Sequence, residues 1–288
     1  MIANSLSRVQ SAFIALPFFK RGLATVIEEW FDVLVYPENP VLSEQIPIQA
    51  GIAANGLAAA FLVQNQREGL VAQFTALMKA NGYPEVETKL FQRALSQVPD
   101  GEVEVFLNAK NTGVDQGWAI NGYFPISKAF EMLADGEVEN KIKTWYNGIG
   151  ADACVKVGRS VGGGYTIIHT ELAGDDAGQW LEYYIDAARA FGLDTLPNQL
   201  LELIASDEPE SLALIIHANK EGFLKFGLRL PQPSTRVQQA VLLAFATDKS
   251  LDIIADFEGG LGAGAANFVD LYIDAAGFGV QFFYTPQD

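Results

Sequence analysis

The feature that most constrains this chain is a recurring order of two short strands and then helix, each strand pair closed by a turn too short for anything but antiparallel neighbours. The first pair is expected around residues 45–53 and 56–64, joined at Asn55-Gly56, a dipeptide that supplies the positive φ of a tight hairpin. Val103 to Lys110 and Gly117 to Phe124 read as the second pair, around Asn111 and Gly113. Ala151 to Val157 and Tyr165 to Leu172 read as the third, around a glycine-rich turn, and Leu212 to Asn219 and Phe223 to Leu230 as the fourth. Leu251 to Glu258, Asn267 to Asp274 and Phe278 to Tyr284 are expected to finish the chain as strands. Helical spacing falls between these pairs. It is carried first by Leu23, Val26, Ile27, Trp30 and Leu34, then by Leu70, Phe74 and Leu77. Further helices are expected over about 86–98, 127–145, 177–190, 198–205 and 235–246.

Ten or so antiparallel strands must curl or close. The expected fold class is α+β, a ten-stranded antiparallel β-barrel surrounded by helices, built as a single domain over residues 1–288 from about five strand-strand-helix repeats. Alternation assigns the faces. Val103, Val105 and Leu107, then Leu224, Phe226, Leu228 and Leu230, then Val269, Leu271 and Ile273 make apolar rows that suit the helices. The opposite rows are mixed: Glu104, Phe106, Asn108 and Lys110; Asp152, Cys154 and Lys156; Phe223, Lys225, Gly227 and Arg229; Asp252, Asp256 and Glu258; Phe268, Asp270, Tyr272 and Asp274. They are expected to line a wet lumen.

Composition removes several functions. With 35 acidic against 19 basic residues the formal net charge is -16, which repels phosphate backbones and anionic lipid, so nucleic acid and membrane surfaces are not expected as partners. Cys154 is the one cysteine, which rules out an intramolecular disulfide and fits a reducing cytoplasm. The apolar stretch from Ala12 to Phe19 runs into Lys20 and Arg21 and not into a small-residue cleavage site. A cytoplasmic monomer is expected.

Repeated hairpin-plus-helix units of this kind resemble the ABBA-type (PT-barrel) aromatic prenyltransferases, including the bacterial enzymes that prenylate small aromatics and the cyanobactin peptide prenyltransferases. Gly122-Tyr123-Phe124-Pro125 is similar to the aromatic-aromatic-proline strand end of that family. Thr170-Glu171-Leu172 with Gly192-Leu193 and Pro197-Asn198-Gln199-Leu200 is similar to its third repeat. His217-Ala218-Asn219 with Leu224-Lys225-Phe226 and Leu228-Arg229 resembles its fourth strand pair, and Gly158-Arg159-Ser160 a turn of the peptide-modifying branch.

The resemblance implies transfer of an isoprenyl group from an allylic diphosphate to an aromatic small molecule or peptide side chain. Such chemistry needs Lys and Arg where the departing diphosphate gathers charge, aromatic faces to shelter an allylic cation, and a base for the acceptor's proton. Lys156, Lys225 and Arg229 are the expected diphosphate ligands. Phe106, Tyr165, Phe223, Phe268, Tyr272, Phe278 and Tyr284 are candidates for the aromatic wall, and Glu104 and Asp270 for the base. The cofactor is expected to be none, or Mg2+ accompanying the isoprenyl diphosphate. The acceptor is an aromatic or cationic small molecule or peptide.

Departures from the family are equally visible. Leu57 to Val63 is apolar where the family carries an arginine or a metal-binding aspartate, and the second pair holds Trp118, Ala119 and Asn121 where a lysine is usual. Asp270, Tyr272 and Asp274, beside Asp252, Asp256 and Glu258, would repel a diphosphate. Two other readings therefore stay open: an enzyme using lumen carboxylates on a terpenoid or cationic substrate, and a barrel that binds a small molecule without chemistry. His169, Glu171 and His217 also admit a zinc or iron site, although their spacing carries no ligand signature. The glycines at 158–164 and 259–264 do not open helices, which removes the context that a phosphate loop requires.

Overall fold

Five antiparallel hairpins join edge to edge in sequence order, and the last strand returns to the first to close the sheet. The computed structural model describes residues 2–14, 16, 25, 48–56, 58–65, 67–97, 102–110, 113–125, 127, 129, 137–149, 153–161, 164–172 and 176–286. The strands are β1 (Ile48–Ala53), β2 (Ala58–Asn65), β3 (Glu102–Lys110), β4 (Gly113–Pro125), β5 (Ala153–Ser160), β6 (Tyr165–Glu171), β7 (Ala213–Asn219), β8 (Gly222–Pro231), β9 (Phe268–Asp274) and β10 (Gly277–Tyr284). Every neighbouring pair is antiparallel, from Ile52 opposite Ala59 within the first hairpin to Gly51 opposite Phe283 across the closure. The five tight turns therefore share one rim. The helix connections leave from the other.

Around the barrel lie α1 (Ile2–Ile14), α2 (Arg67–Ala80), α3 (Glu85–Gln97), α4 (Glu137–Ile149), α5 (Ala177–Phe191), α6 (Asn198–Ser206), α7 (Thr235–Phe245) and α8 (Asp248–Leu261). Their apolar side chains join the outward row of the strands in one core, and such burial removes apolar area from water at about 25 cal/mol per Å². Phe91 of α3 meets Trp118 of β4 with ring centroids 5.0 Å apart, and Tyr184 and Phe191 of α5 pack on Phe226 of β8 at 5.3 and 5.8 Å. Among the described residues no helix is long and apolar enough to cross a membrane.

Three sequence expectations change. Leu251 to Glu258 is helix, not strand: Thr247 and Ser250 form a reciprocal capping box, Gly262 closes the helix at φ 65°, and Ile254, Phe257 and Leu261 are its buried stripe. Asp252, Asp256 and Glu258 consequently ride on an outer helix and line no lumen. Gly158-Arg159-Ser160 continues β5 instead of forming a turn. The second strand of the second hairpin begins at Gly113, four residues before the expected start. The expected helix around Leu23 to Leu34 lies outside the described residues, as does most of 127–136, and the helix seen at Ile2–Ile14 had no counterpart in the sequence reading.

Candidate functional site

The inward row of the barrel collects the site. β3 contributes Glu104 and Phe106, β5 Lys156, β6 Tyr165, Ile167 and His169, β7 His217, β8 Lys225 and Arg229, β9 Phe268, Asp270 and Tyr272, and β10 Gln281 and Phe283. These side chains divide into an apolar cluster and a chain of buried ion pairs. Phe106, Ile167, Phe268 and Phe283 pack with Ala60 and Leu62 of β2, and the rings of Phe268 and Phe283 stack at 4.4 Å.

Charge is balanced locally. Lys156 donates to both oxygens of Glu104, at 2.7 and 2.9 Å, and Asn121 donates to the same carboxylate at 3.2 Å. Arg229 makes a two-pronged contact with Asp270 at 2.7 and 2.9 Å, and the Lys225 ammonium stands 3.8 Å from that carboxylate. The cations also lie on aromatic faces: Lys225 is 3.8 Å from the centre of the Tyr272 ring and Arg229 is 4.0 Å from that of Phe268. Asp115 of β4 accepts from Ser160 at 2.5 Å and from Tyr165 at 2.8 Å. Three cations thus face two ion-paired carboxylates.

Burial shifts the protonation of these groups. It lowers the Lys225 ammonium to about 8, Asp270 opposing the shift and Arg229 adding to it. It also lowers Lys156, against the pull of Glu104. For Asp270 burial acts upward, but Arg229, Lys225 and Lys156 together outweigh it and hold the carboxyl below its ordinary value. Both imidazoles fall well below their usual range, through burial first and then through Arg229, Lys156 and Lys225. They are neutral near pH 7.

Glycines let the aromatic rings lie flat against the wall. A Cβ at Gly117 would stand 2.3 Å from Phe106 Cζ and 2.2 Å from the carbonyl oxygen of Arg159, and one at Gly279 would stand 2.4 Å from Tyr272 Cε2. The cavity that remains is about 50 Å³. Pockets for drug-sized ligands measure roughly 300–1,000 Å³, so around this cavity the described side chains fill most of the lumen.

Of the twelve residues expected from sequence to bind diphosphate, form the wall or act as base, nine meet in the lumen and three do not. Glu104, Phe106, Tyr165, Lys156, Lys225, Arg229, Phe268, Asp270 and Tyr272 are brought together inside it. Phe223 is not: an extra residue at Leu224 shifts the register, pairing Ala218 with Phe223 and turning that ring outward onto Phe191 at 4.8 Å. Tyr284 also faces outward, packing on Phe257 and donating to Glu258 at 2.5 Å. Phe278 shares that outward row and is exposed. The inward row of β10 is Gly279, Gln281 and Phe283, a mixed row of the kind that marked the other lumen faces. Trp118 likewise points out, so Ala119 and Asn121 hold the expected lysine corner. Asp270 does not stand apart as a repulsive charge; it neutralises Arg229 and Lys225. Arg159 leaves the lumen for Glu87 of α3, at 2.7 and 3.0 Å.

The three residues that could have offered metal ligands do not converge. His169 and His217 stack with centroids 6.3 Å apart, and Glu171 accepts from Tyr123 at the rim. Among the described residues no group of three or more His, Cys, Asp and Glu side chains is placed to hold a metal ion.

Comparison with solved structures places this architecture. The crystal structure of AnaPT from Neosartorya fischeri superposes on 97% of this chain and 91% of its own with a TM-score of 0.67, at 10% sequence identity. The chain has the PT-barrel fold. At that identity the likeness concerns the PT barrel alone. A PH domain-containing protein of Dictyostelium discoideum is 23% identical over 299 residues, a match that takes in 96% of this chain. The chain spans 63% of that relative's length. No protein-family model matches the chain.

Proposed function

We propose that this PT barrel transfers an isoprenyl group from an allylic diphosphate to an electron-rich aromatic acceptor held in the lumen. The observation that carries the reading is the meeting of Lys156, Lys225 and Arg229, from two strands, in a buried lumen where aromatic rings lie against two of them. Cations of this kind stabilise the negative charge that develops on a leaving diphosphate, and rings beside them shelter the allylic cation left behind. In the transfer the allylic C–O bond breaks with its electron pair going to the diphosphate. A ring carbon of the acceptor then forms the new C–C bond, and its proton passes to a base. Asp270 and Glu104 act as resident counter-ions that a diphosphate displaces.

The structural likeness to AnaPT supports this reading at the level of fold. Its test is calorimetry and thermal shift with dimethylallyl, geranyl and farnesyl diphosphates, with and without magnesium. Binding is expected to weaken roughly 10- to 100-fold in Arg229→Gln and Lys225→Met, the range for loss of a charge-assisted contact. No response to any diphosphate would sink the proposal.

The cavity of about 50 Å³ favours a second reading, a barrel that holds a small anion on the same cations without chemistry. Binding of inorganic pyrophosphate with no turnover of any prenyl diphosphate selects it.

A further inference from the structure

The two lumen lysines are held in different ways. The Lys156 ammonium is hydrogen-bonded to both oxygens of Glu104, whereas the Lys225 nitrogen stands 3.8 Å from Asp270, beyond hydrogen-bonding distance. The face of the Tyr272 ring lies beside it at 3.8 Å. Lys225 and Arg229 flank Gly227 on the inward row of β8, and their heads meet at one oxygen of Asp270. That oxygen is 2.9 Å from the Arg229 guanidinium and 3.8 Å from the Lys225 nitrogen. An amine, a carboxylate and a guanidinium therefore open together on the lumen cavity.

Carbonyl chemistry asks for these three groups. An amine that adds to a carbonyl carbon needs an acid–base group to carry its proton to the oxygen, and an anionic substrate needs a cation to orient it. Asp270 lies between the two cations, and the gap to Lys225 is one that a ligand oxygen can bridge. It takes the Nε–H and one further N–H of Arg229, which leaves the other guanidinium donors for a ligand carboxylate. Size limits the ligand. A water needs roughly 10–15 Å³ of such space, so the cavity of about 50 Å³ admits a molecule of only a few non-hydrogen atoms.

We propose that Lys225 captures small 2-oxo acids as an imine, with the ligand carboxylate seated on Arg229. The lone pair of the lysine nitrogen forms the new bond to the carbonyl carbon. The proton that nitrogen sheds reaches the carbonyl oxygen through Asp270, and the resulting hydroxyl leaves as water when the C=N bond closes. Amine and carbonyl thus give imine and water, with nothing oxidised or reduced. Burial lowers the Lys225 ammonium to about 8 against the pull of Asp270, which supplies neutral amine at mildly alkaline pH. This capture is independent of prenyl transfer and stands whether or not a diphosphate binds.

The test incubates the full chain with glyoxylate and cyanoborohydride, which reduces an imine to a stable carboxymethyl-lysine that peptide mass spectrometry locates. At low glyoxylate Lys225 is expected to be labelled about 100-fold faster than the exposed Lys89 and Lys249. Its rate is expected to saturate with glyoxylate, because the carboxylate binds before the bond forms, while the exposed lysines respond linearly. Formaldehyde carries no carboxylate and serves as the comparison. Arg229→Gln is expected to lower the glyoxylate rate at Lys225 about tenfold more than it lowers the formaldehyde rate, the range for loss of a charge-assisted contact. Wild-type Lys225 labelled no faster than the exposed lysines, or without saturation, overturns the proposal, and this arm decides even where the variant fails to fold. An equal effect of Arg229→Gln on both reagents in a variant that unfolds cooperatively in urea overturns the seating on Arg229.

Discussion

Across the β8–β9 pair the Arg229 guanidinium grips the Asp270 carboxylate with two nitrogens, at 2.7 and 2.9 Å, while the Phe268 ring lies 4.0 Å from the guanidinium carbon. The Asp270 side chain is nearly sealed from water and that of Arg229 is 17% exposed, so the carboxylate above all cannot be left alone without a large desolvation cost.

Removing one partner is therefore expected to be severe. Asp270→Asn leaves Arg229 and Lys225 buried without their carboxylate and should lower unfolding stability by about 3 kcal/mol or more in urea titration. The double variant Arg229→Met with Asp270→Leu should recover most of that loss. Asp270→Asn should also bind pyrophosphate more tightly than the wild type, by about tenfold, because its cations are unoccupied. Unchanged stability, or weaker pyrophosphate binding, would count against the counter-ion role.

Lys225 makes stability depend on alkaline pH. Its ammonium titrates near 8 in the folded protein, against an ordinary value of about 10.4. Between those values the unfolded chain binds more protons than the folded one, so this group's contribution grows as pH rises through the window and is lost as pH falls through 8. The full swing is on the order of 3 kcal/mol. Buried tyrosines oppose it at the upper end, because burial raises Tyr165 and Tyr272 above their ordinary range. The comparison is between wild type and Lys225→Met in urea from pH 7.5 to 9.5. An identical pH slope in the two proteins would refute the assignment.

The lumen glycines differ in what replaces them cheaply. Gly117→Ala puts a methyl 2.2 Å from the Arg159 carbonyl oxygen as well as against Phe106, and backbone must move. It is expected to cost about 3 kcal/mol, the upper end for overpacking. Gly279→Ala meets the Tyr272 ring alone among its nearest atoms. It should cost about 1 kcal/mol and displace the ring from Lys225. Urea midpoints check the ranking, and a reversed order would show that the ring is less able to yield than the strand.

Much of the barrel was legible because hairpins are local. Asn55-Gly56 sets its own turn, and alternation along β3, β8 and β9 marks which side chains turn inward. Failures came where two periods fit one segment or where a strand slips. Leu251 to Glu258 reads as strand when Gly259-Gly260 is taken as a turn, yet Thr247, Ser250 and Gly262 cap it as a helix that packs on Phe13 of α1. Phe223 shares parity with Lys225 and Arg229 in sequence, and the extra residue at Leu224 reverses its face. Alternation cannot reveal a bulge, because the register it breaks belongs to the neighbouring strand.

The sequence by itself determined the antiparallel hairpins, the ring of helices and the set of cations and aromatics that can reach one lumen, since these follow from turn chemistry and side-chain period. Only the tertiary structure decided how they meet. The register of β8 on β9 lays Asp270 directly opposite Arg229, and the curl of the sheet brings Glu104 to Lys156 across β4 and His217 beside His169. These partners are 41, 52 and 48 positions apart in the chain, and no local pattern can encode a distance across a closed sheet.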